Sequence, residues 1–264
     1  LSSPQDLPTS CSYSLRNTMP PNDPPIITVD SLRCALGGPG AKIVSIFGSV
    51  DLYHPRSEAL CASIGQHLAE ELPDLTIVTG ANAAVHYHIS RSYVKSVADR
   101  EKKIANIFHL APVGYQCDWT HGTVLRVGRD MAERREILAK VGDVAISVEG
   151  GPGTADEMSK AWLWNVPLIP LGRSGGASSG MFNSPTVIDQ VPNFINEDDW
   201  KLLWDDSVDV NFTSKAVAKI VIRILENNDP GWTGITDNAA SDTPIPLWVS
   251  PSMDSRTNNG QRHL

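Results

Sequence analysis

Asp143-Val-Ala-Ile-Ser-Val-Glu-Gly-Gly-Pro-Gly-Thr-Ala-Asp-Glu157 is the stretch on which the fold turns. From Asp143 to Val148 it is nearly all apolar, the pattern of a strand buried on both faces of a parallel sheet. Gly150, Gly151 and Gly153 follow, and a backbone without side chains lets a ligand come close. A helix starting near Gly153 and Thr154 aims free N–H groups and the positive end of its dipole at the same place. Strand, glycine turn and helix together make a phosphate cradle. On the turn alone, a tight connection with no ligand remains the alternative.

Outward from this stretch the chain alternates strand and helix patterns. Lys42 to Phe47 is a β-branched run ending at Gly48-Ser49, and Pro55 to Glu71 follows with Leu60, Ile64 and Leu68 at helical spacing. Leu75 to Val78 reads as the next strand, running into Thr79-Gly80-Ala81-Asn82, with Val85, Ile89, Tyr93 and Val97 marking a helical face. Lys103 to Leu110 supplies a third strand. Val124 to Val141 reads as one helix with Val127, Met131, Ile137 and Leu138 inward. After the buried fourth strand come a helix from Gly153 to Trp164 and a fifth strand from Pro167 to Leu171. Helices over Glu197 to Trp204 and Ser214 to Leu225, the latter with Ser214 as its N-cap, close the pattern. Strands joined by helix-sized connections predict an α/β fold: a Rossmann-like, doubly wound parallel sheet with helices on both faces.

Composition sets the limits. The chain has 264 residues, with 22 Lys and Arg against 30 Asp and Glu, a net charge of −8 that argues against a general nucleic-acid binder. Its apolar runs are strand-sized, short of the ~20 residues of a membrane span. The cysteines, Cys11, Cys34, Cys61 and Cys117, are scattered without a Cys-x-x-Cys pair, which speaks against a zinc site and fits a reducing, cytoplasmic compartment. Leu1 stands at the start, so targeting is not judged from that end. Residues 1–40 carry Pro4, Pro8, Pro20, Pro21, Pro24, Pro25 and Pro39 and read as an extended or disordered arm. Residues 41–227 read as the folded domain and 228–264 as a second proline-containing tail. In that tail only Ile245-Pro-Leu-Trp-Val is apolar enough to dock; if Trp248 packs, the tail wraps the domain or a neighbouring subunit, and otherwise it is a loose end.

Met131-Ala-Glu-Arg-Arg135, then a helix, then Asp143, the buried strand, Gly150-Gly-Pro-Gly-Thr154 and Glu157 resembles the LONELY GUY (LOG) family of the SLOG superfamily, proteins long labelled lysine decarboxylases. In that family a Met-x-x-Arg-Lys helix precedes Pro-Gly-Gly-x-Gly-Thr-x-x-Glu, and the two segments align here without a gap. Ile46-Phe-Gly-Ser49 looks like the family's first turn. The resemblance covers roughly residues 42–226 and neither tail. It implies a nucleoside 5′-monophosphate phosphoribohydrolase, which frees the base and ribose 5-phosphate, works without a cofactor or metal, and forms a homodimer. Arg134 and Glu157 are then the catalytic pair. Gly48, Ser49, Gly80, Asn82, Arg135, Gly150, Gly151, Gly153 and Thr154 are the phosphate and ligand contacts. These residue types suit the chemistry. A carboxylate stabilises the positive charge that builds on ribose as the base leaves, and a forked arginine holds phosphate or ribose oxygens. Without the motif, both would pass for ordinary charged helix residues.

Two departures favour an alternative, a non-catalytic binding protein for a nucleotide, an ADP-ribose-type ligand or molybdenum cofactor. The family's second turn, Gly-Gly-Gly-x-x-Gly-Leu-Met-Gly, reads Gly80-Ala-Asn-Ala-Ala-Val-His-Tyr-His88 here, so side chains take the place of backbone beside the ligand. The proline before the paired glycines is Glu149, a carboxylate that repels an anion unless it is protonated, turned away or engaged. Asn82, His86, Tyr87 and His88 are candidates for head-group contacts in that case, and a metal shared by His86 and His88 is disfavoured because residues two apart on a helix diverge. Asp118-Trp-Thr-His121 is either a loop closing over the pocket or a plain connection. Gly172 to Gly180 reads as a flexible lid, with Arg173 reaching for an anion, or as a loose linker.

Overall fold

The computed structural model describes residues 26–27, 29–38, 40–186, 191–227 and 245–248. Its centre is a sheet of eight strands: β1 (Ile26–Ile27), β2 (Ile43–Gly48), β3 (Thr76–Thr79), β4 (Asn106–Ala111), β5 (Thr123–Val127), β6 (Val144–Val148), β7 (Leu168–Leu171) and β8 (Ile245–Trp248). Their spatial order is β1-β8-β5-β4-β3-β2-β6-β7. From β5 to β7 every pairing is parallel; β8 adds antiparallel to β5, and β1 antiparallel to β8. This is the doubly wound, Rossmann-like arrangement the alternation predicts.

The helices are α1 (Val29–Ala35), α2 (Ser57–Glu71), α3 (Val85–Glu101), α4 (Met131–Val141), α5 (Pro152–Leu163), α6 (Glu197–Lys201) and α7 (Val210–Glu226). The two-residue period of the strands sorts them into two layers. Val44 and Ile46 of β2 and Val144, Ile146 and Val148 of β6 face α2, α3 and α7, whereas Ile43 and Phe47 of β2 and Ala145 of β6 face α1, α4 and α5. Each fully buried aliphatic side chain contributes about 1.5–3 kcal/mol, so both faces are needed to hold the sheet. None of the described helices is long and apolar enough to cross a membrane.

Chain order reverses direction at β2, which lies between β3 and β6. Gly48 pairs with Val148 there, bringing the carboxyl ends of both strands and the turns beyond them side by side. In open α/β sheets such a reversal leaves a crevice for ligands.

Four expectations need correction. The helix expected from Val124 is a strand, β5, followed by α4. Gly128, at φ +76°, breaks the chain between them, and Asp130 caps α4 by accepting from the N–H groups of Ala132 and Glu133. Val127 and Met131 fall four apart by coincidence of two elements, not on one helical face. The N-cap of α7 is Asp209, which accepts from Asn211 N–H; Ser214 lies inside the helix and donates to Val210 O. The helix expected over Glu197 to Trp204 ends at Lys201. Within the stretch that composition assigns to the arm, residues 29–35 form α1, which buries Leu32 and is tied down by Arg33 donating to Val141 O and to Asp143 at 2.6 Å each. Of the other arm residues only 26–27, 36–38 and 40 are described; the rest, with all the prolines, lie outside the described residues, as does most of the tail. Of the alternatives for Ile245 to Trp248, the strand pairs with the body, Trp248 opposite Arg126 and Leu247 opposite Val127.

Candidate functional site

At the chain reversal lies a cleft of about 380 Å3, near the lower end of the range of ligand sites, roughly 300–1,000 Å3. Its walls are the β2–α2 turn (Gly48 to Asp51 and Tyr53), Asn82, the first turn of α4 (Met131, Arg134, Arg135) and the start of α5 (Gly151, Gly153, Thr154, Glu157). Nine of the residues singled out from sequence therefore line one cavity. Gly80 and Gly150 do not; Met131, which opens the Met-x-x-Arg motif, lines it too, and Val50, Asp51 and Tyr53 line it without any signal in the sequence that marks them.

Arg134 and Glu157 come from α4 and α5, 23 residues apart, and meet in an ion pair with Nη1 2.7 Å from Oε1. Both are almost fully buried, at 1% and 3% side-chain exposure, so neither belongs to a solvated helix face. Burial drives the Glu157 carboxyl above the ordinary carboxylate range, against the opposing pull of Arg134 and Arg135. Arg134 Nε has no partner, and neither does Nε2 of the buried His86. Burial, aided by the Arg134 charge, lowers His86 to about 3, so it is neutral. Its Nδ1 accepts from Asn82 N–H at 3.3 Å, which leaves Nε2 carrying an unsatisfied hydrogen.

The glycines divide by reason. Gly150 has φ +102°, and a Cβ there would meet Thr154 Oγ1 at 2.6 Å, so both its conformation and its space demand glycine. A Cβ at Gly151 would meet no protein atom within 4 Å, which makes it open ligand space. Over Gly153 lies the Arg135 guanidinium, 3.0 Å from the Cβ position. Arg135 is part-exposed, with Asp156 3.9 Å away, and so leaves a cation beside the free N–H groups at the start of α5. Gly80 is excluded from side-chain growth by Arg134 and His86. It seats the arginine and does not line the cleft.

Glu149 is turned away from the cradle. Its carboxylate accepts from Ser49 Oγ at 2.6 Å, His54 N–H at 3.0 Å and Tyr53 N–H at 3.3 Å, and its own N–H donates to Ser174 Oγ at 2.7 Å. It latches the β2–α2 turn to the β6–α5 turn, so the expected repulsion is met by engagement. In the second turn, Ala81 and Ala84 adopt φ +57° and +56°. The backbone keeps a glycine-like course although the glycines are gone, at a cost of roughly 1–2 kcal/mol for each residue. Of this turn only Asn82 reaches the cleft.

Residues 172–183 correct a further expectation. They form three short 3-10 turns, and Arg173 is 5% exposed. It donates to Thr213 Oγ1 and to Val208 O, binding the segment to the α7 entrance. Ala177 N–H and Ser178 N–H donate to Gly150 O and Glu149 O, bracing the cradle from behind. A segment so packed is a buttress and not a lid. His88 Nδ1 lies 3.7 Å from Glu58, and its ring meets Tyr87 edge-on. Among the described residues no group of His, Cys, Asp and Glu is arranged to hold a metal ion.

Comparison with known proteins adds four likenesses. The model of the SLOG cluster4 family matches residues 41–195. A rice (Oryza sativa subsp. japonica) protein named probable cytokinin riboside 5′-monophosphate phosphoribohydrolase LOG4 is 25% identical over 203 residues, 77% of this chain and 80% of that one. Among solved structures, TM1055, a structural-genomics target, aligns with a TM-score of 0.46 at 19% identity over 58% of this chain and 86% of its own. The molybdenum cofactor binding protein of the phototrophic bacterium Rippkaea orientalis aligns at 0.40 and 21%, over 48% and 74%.

Proposed function

The chain belongs to the SLOG cluster4 family, and on that footing we propose that its cleft hydrolyses the N-glycosidic bond of a nucleoside 5′-monophosphate, releasing the base and ribose 5-phosphate. The observation that carries this reading is the buried Arg134–Glu157 pair at 2.7 Å on the wall of a glycine-lined cavity. The phosphate sits at the N-terminus of α5, against the N–H groups of Gly153 and Thr154 and the Arg135 guanidinium. As the bond between C1′ and the base nitrogen breaks, positive charge gathers on the ribose, and the Glu157 carboxylate stabilises it. Water forms the new C1′–O bond. Its proton passes to Glu157, whose raised pKa makes it a better base than an exposed carboxylate, and from there to the departing base. Arg134 holds Glu157 in place and balances its charge. The rice relative's name supports the substrate class.

The test is base release. Purified protein is incubated with a panel of nucleoside 5′-monophosphates, including AMP and an isopentenyl-adenine nucleotide, and the products are separated chromatographically beside Glu157→Gln. Free base that disappears in the variant supports the hydrolase. Nucleotide binding without release from any substrate refutes it and leaves a binding protein.

A further inference from the structure

The crossover between β4 and β5 is built unlike its neighbours. The steps from β2 to β3, β3 to β4, β5 to β6 and β6 to β7 each pass through a helix, whereas β4 reaches β5 through residues 112–122 without one. Parallel strands are usually joined through a helix, which covers the sheet between them. Here aromatic rings cover it. Trp119 and His121 lie with planes within 7° of each other and centroids 5.6 Å apart; Trp119 stands edge-on to His109 at 4.7 Å; and Tyr87 of α3 touches both Trp119 and His121 at 5.4 Å.

A chain of hydrogen bonds fixes these rings from below. Ala81 N–H donates to Thr79 Oγ1, Thr79 bonds His109 Nδ1 at 2.8 Å, and His109 Nε2 donates to His121 O at 2.7 Å. Ser90 donates to His86 O at 2.7 Å, so His121 Nε2, 2.8 Å from Ser90 Oγ, is the donor there. Burial lowers His109 to about 4 and lowers His121 as well, so both are neutral rings. Arg91, donating to Tyr87 Oη at 2.9 Å, closes the outer edge. Tyr87, Trp119 and His121 remain half-exposed. The hydrogen-bond chain from His109 ends at Ala81, the residue before Asn82, which is a cleft wall and accepts from the Tyr115 hydroxyl at 3.4 Å.

We propose that Trp119, His121 and Tyr87, with Asn82 and Tyr115 at their margin, form the subsite for a planar heteroaromatic head group of the ligand whose phosphate lies at α5. The inference rests on the cleft being a sugar-phosphate site. A preoriented neutral aromatic wall offers a face for stacking, and the amide and phenol offer donors and acceptors to the edge of a base. The altered second turn thereby gains a use: it sets Asn82 on the cleft wall and leads five residues on to Tyr87 in the aromatic cluster.

The test compares two probes by calorimetric titration: ribose 5-phosphate, and carbocyclic AMP, whose ring lacks the oxygen that allows glycosidic cleavage. Wild-type protein is expected to bind carbocyclic AMP at least tenfold more tightly. Trp119→Ala lowers affinity for it about tenfold and leaves ribose 5-phosphate unchanged, while Trp119→Phe, which keeps a ring, restores most of the loss. Tyr115→Phe, which removes one hydroxyl and leaves the packing intact, weakens carbocyclic AMP alone, about threefold. Wild type binding both probes equally overturns the subsite and leaves the cleft reading standing. Equal weakening of both probes by Trp119→Ala and Trp119→Phe makes the wall a structural support and also overturns it. Binding of neither probe by wild type overturns the cleft reading and the subsite together.

Discussion

A methyl group added at Gly80 would overlap Arg134 Nη1 outright and sit 2.9 Å from Cζ and 3.0 Å from Cε1 of His86. Gly80 does not adopt a left-handed φ, so the backbone accepts alanine and the whole effect is steric. To regain ordinary van der Waals separation of about 3.5–4.0 Å between carbons, the guanidinium must retreat by about 1 Å. The pair with Glu157 stands at 2.7 Å and does not survive such a shift in hydrogen-bonding range. Overpacking costs about 1–3 kcal/mol, and breaking a buried ion pair about 3–5 kcal/mol. Gly80→Ala is therefore expected to destabilise by about 4 kcal/mol or more and to lower base release on the order of 100-fold, the usual penalty for displacing a positioned group by 1 Å. Urea denaturation and the base-release assay read the two effects. The decisive arm is a double-mutant cycle with Arg134→Ala, which removes the main obstacle, leaving the His86 ring to give by a few tenths of an ångström into the space vacated. In that background Gly80→Ala should cost less than about 0.5 kcal/mol. An equal cost in both backgrounds, or wild-type stability in the single variant, refutes the role of Gly80 as the seat of Arg134.

Glu149→Pro, which restores the residue typical of LOG proteins, should destabilise by about 3 kcal/mol or more, since proline fixes φ near −65° and lacks an N–H. Glu149 has φ +53° and donates to Ser174; an unchanged urea midpoint would show the latch to be dispensable. Arg173→Ala should cost about 2–4 kcal/mol of stability and change nucleotide affinity less than twofold, because its partners are Thr213 and backbone carbonyls; full stability with weakened binding would reinstate a lid. His86 and His109 have folded pKa values below their ordinary 6.5, so the unfolded chain binds protons first, and stability is lost as pH falls from about 6.5 toward 4. His86→Leu should flatten the stability–pH slope by up to about 1.4 kcal/mol per pH unit over that range, and an unaltered slope contradicts the assignment. Glu157 works in the opposite sense. Its folded pKa is raised, so its contribution falls as pH rises from 4.5 through the raised value, and Glu157→Gln should remove that fall along with catalysis, as urea titrations across this range would show.

Much of this protein is readable from near-neighbour patterns. The run from Val144 to Val148, the glycines after it and the helical spacing of Leu60, Ile64 and Leu68 are local facts, because periods of two and 3.6 residues are imposed by the strand and helix themselves. The spacing of Arg134 and Glu157 was legible too, since one strand and one turn separate them. β5 was not: five residues bounded by Gly122 and Gly128 carry too short a pattern to separate from the helix that follows. Nor was the edge strand β8, whose existence depends on pairing with β5 over a hundred residues away.

The sequence by itself determined the α/β alternation and the strand, glycine turn and helix from Val144 to Leu163, and its resemblance to LOG proteins singled out Arg134 and Glu157. Only the tertiary structure decided how the remaining polar residues are used. Glu149 faces Ser49 and His54 across the sheet, Arg173 ends on Thr213, and Gly80 is a glycine because of an arginine 54 positions later. Such contacts are set by the register of β2 against β6 and by the layer each helix occupies. No local period encodes them, and the orientation of a carboxylate, toward a ligand or away from it, follows from which donors that register brings within reach.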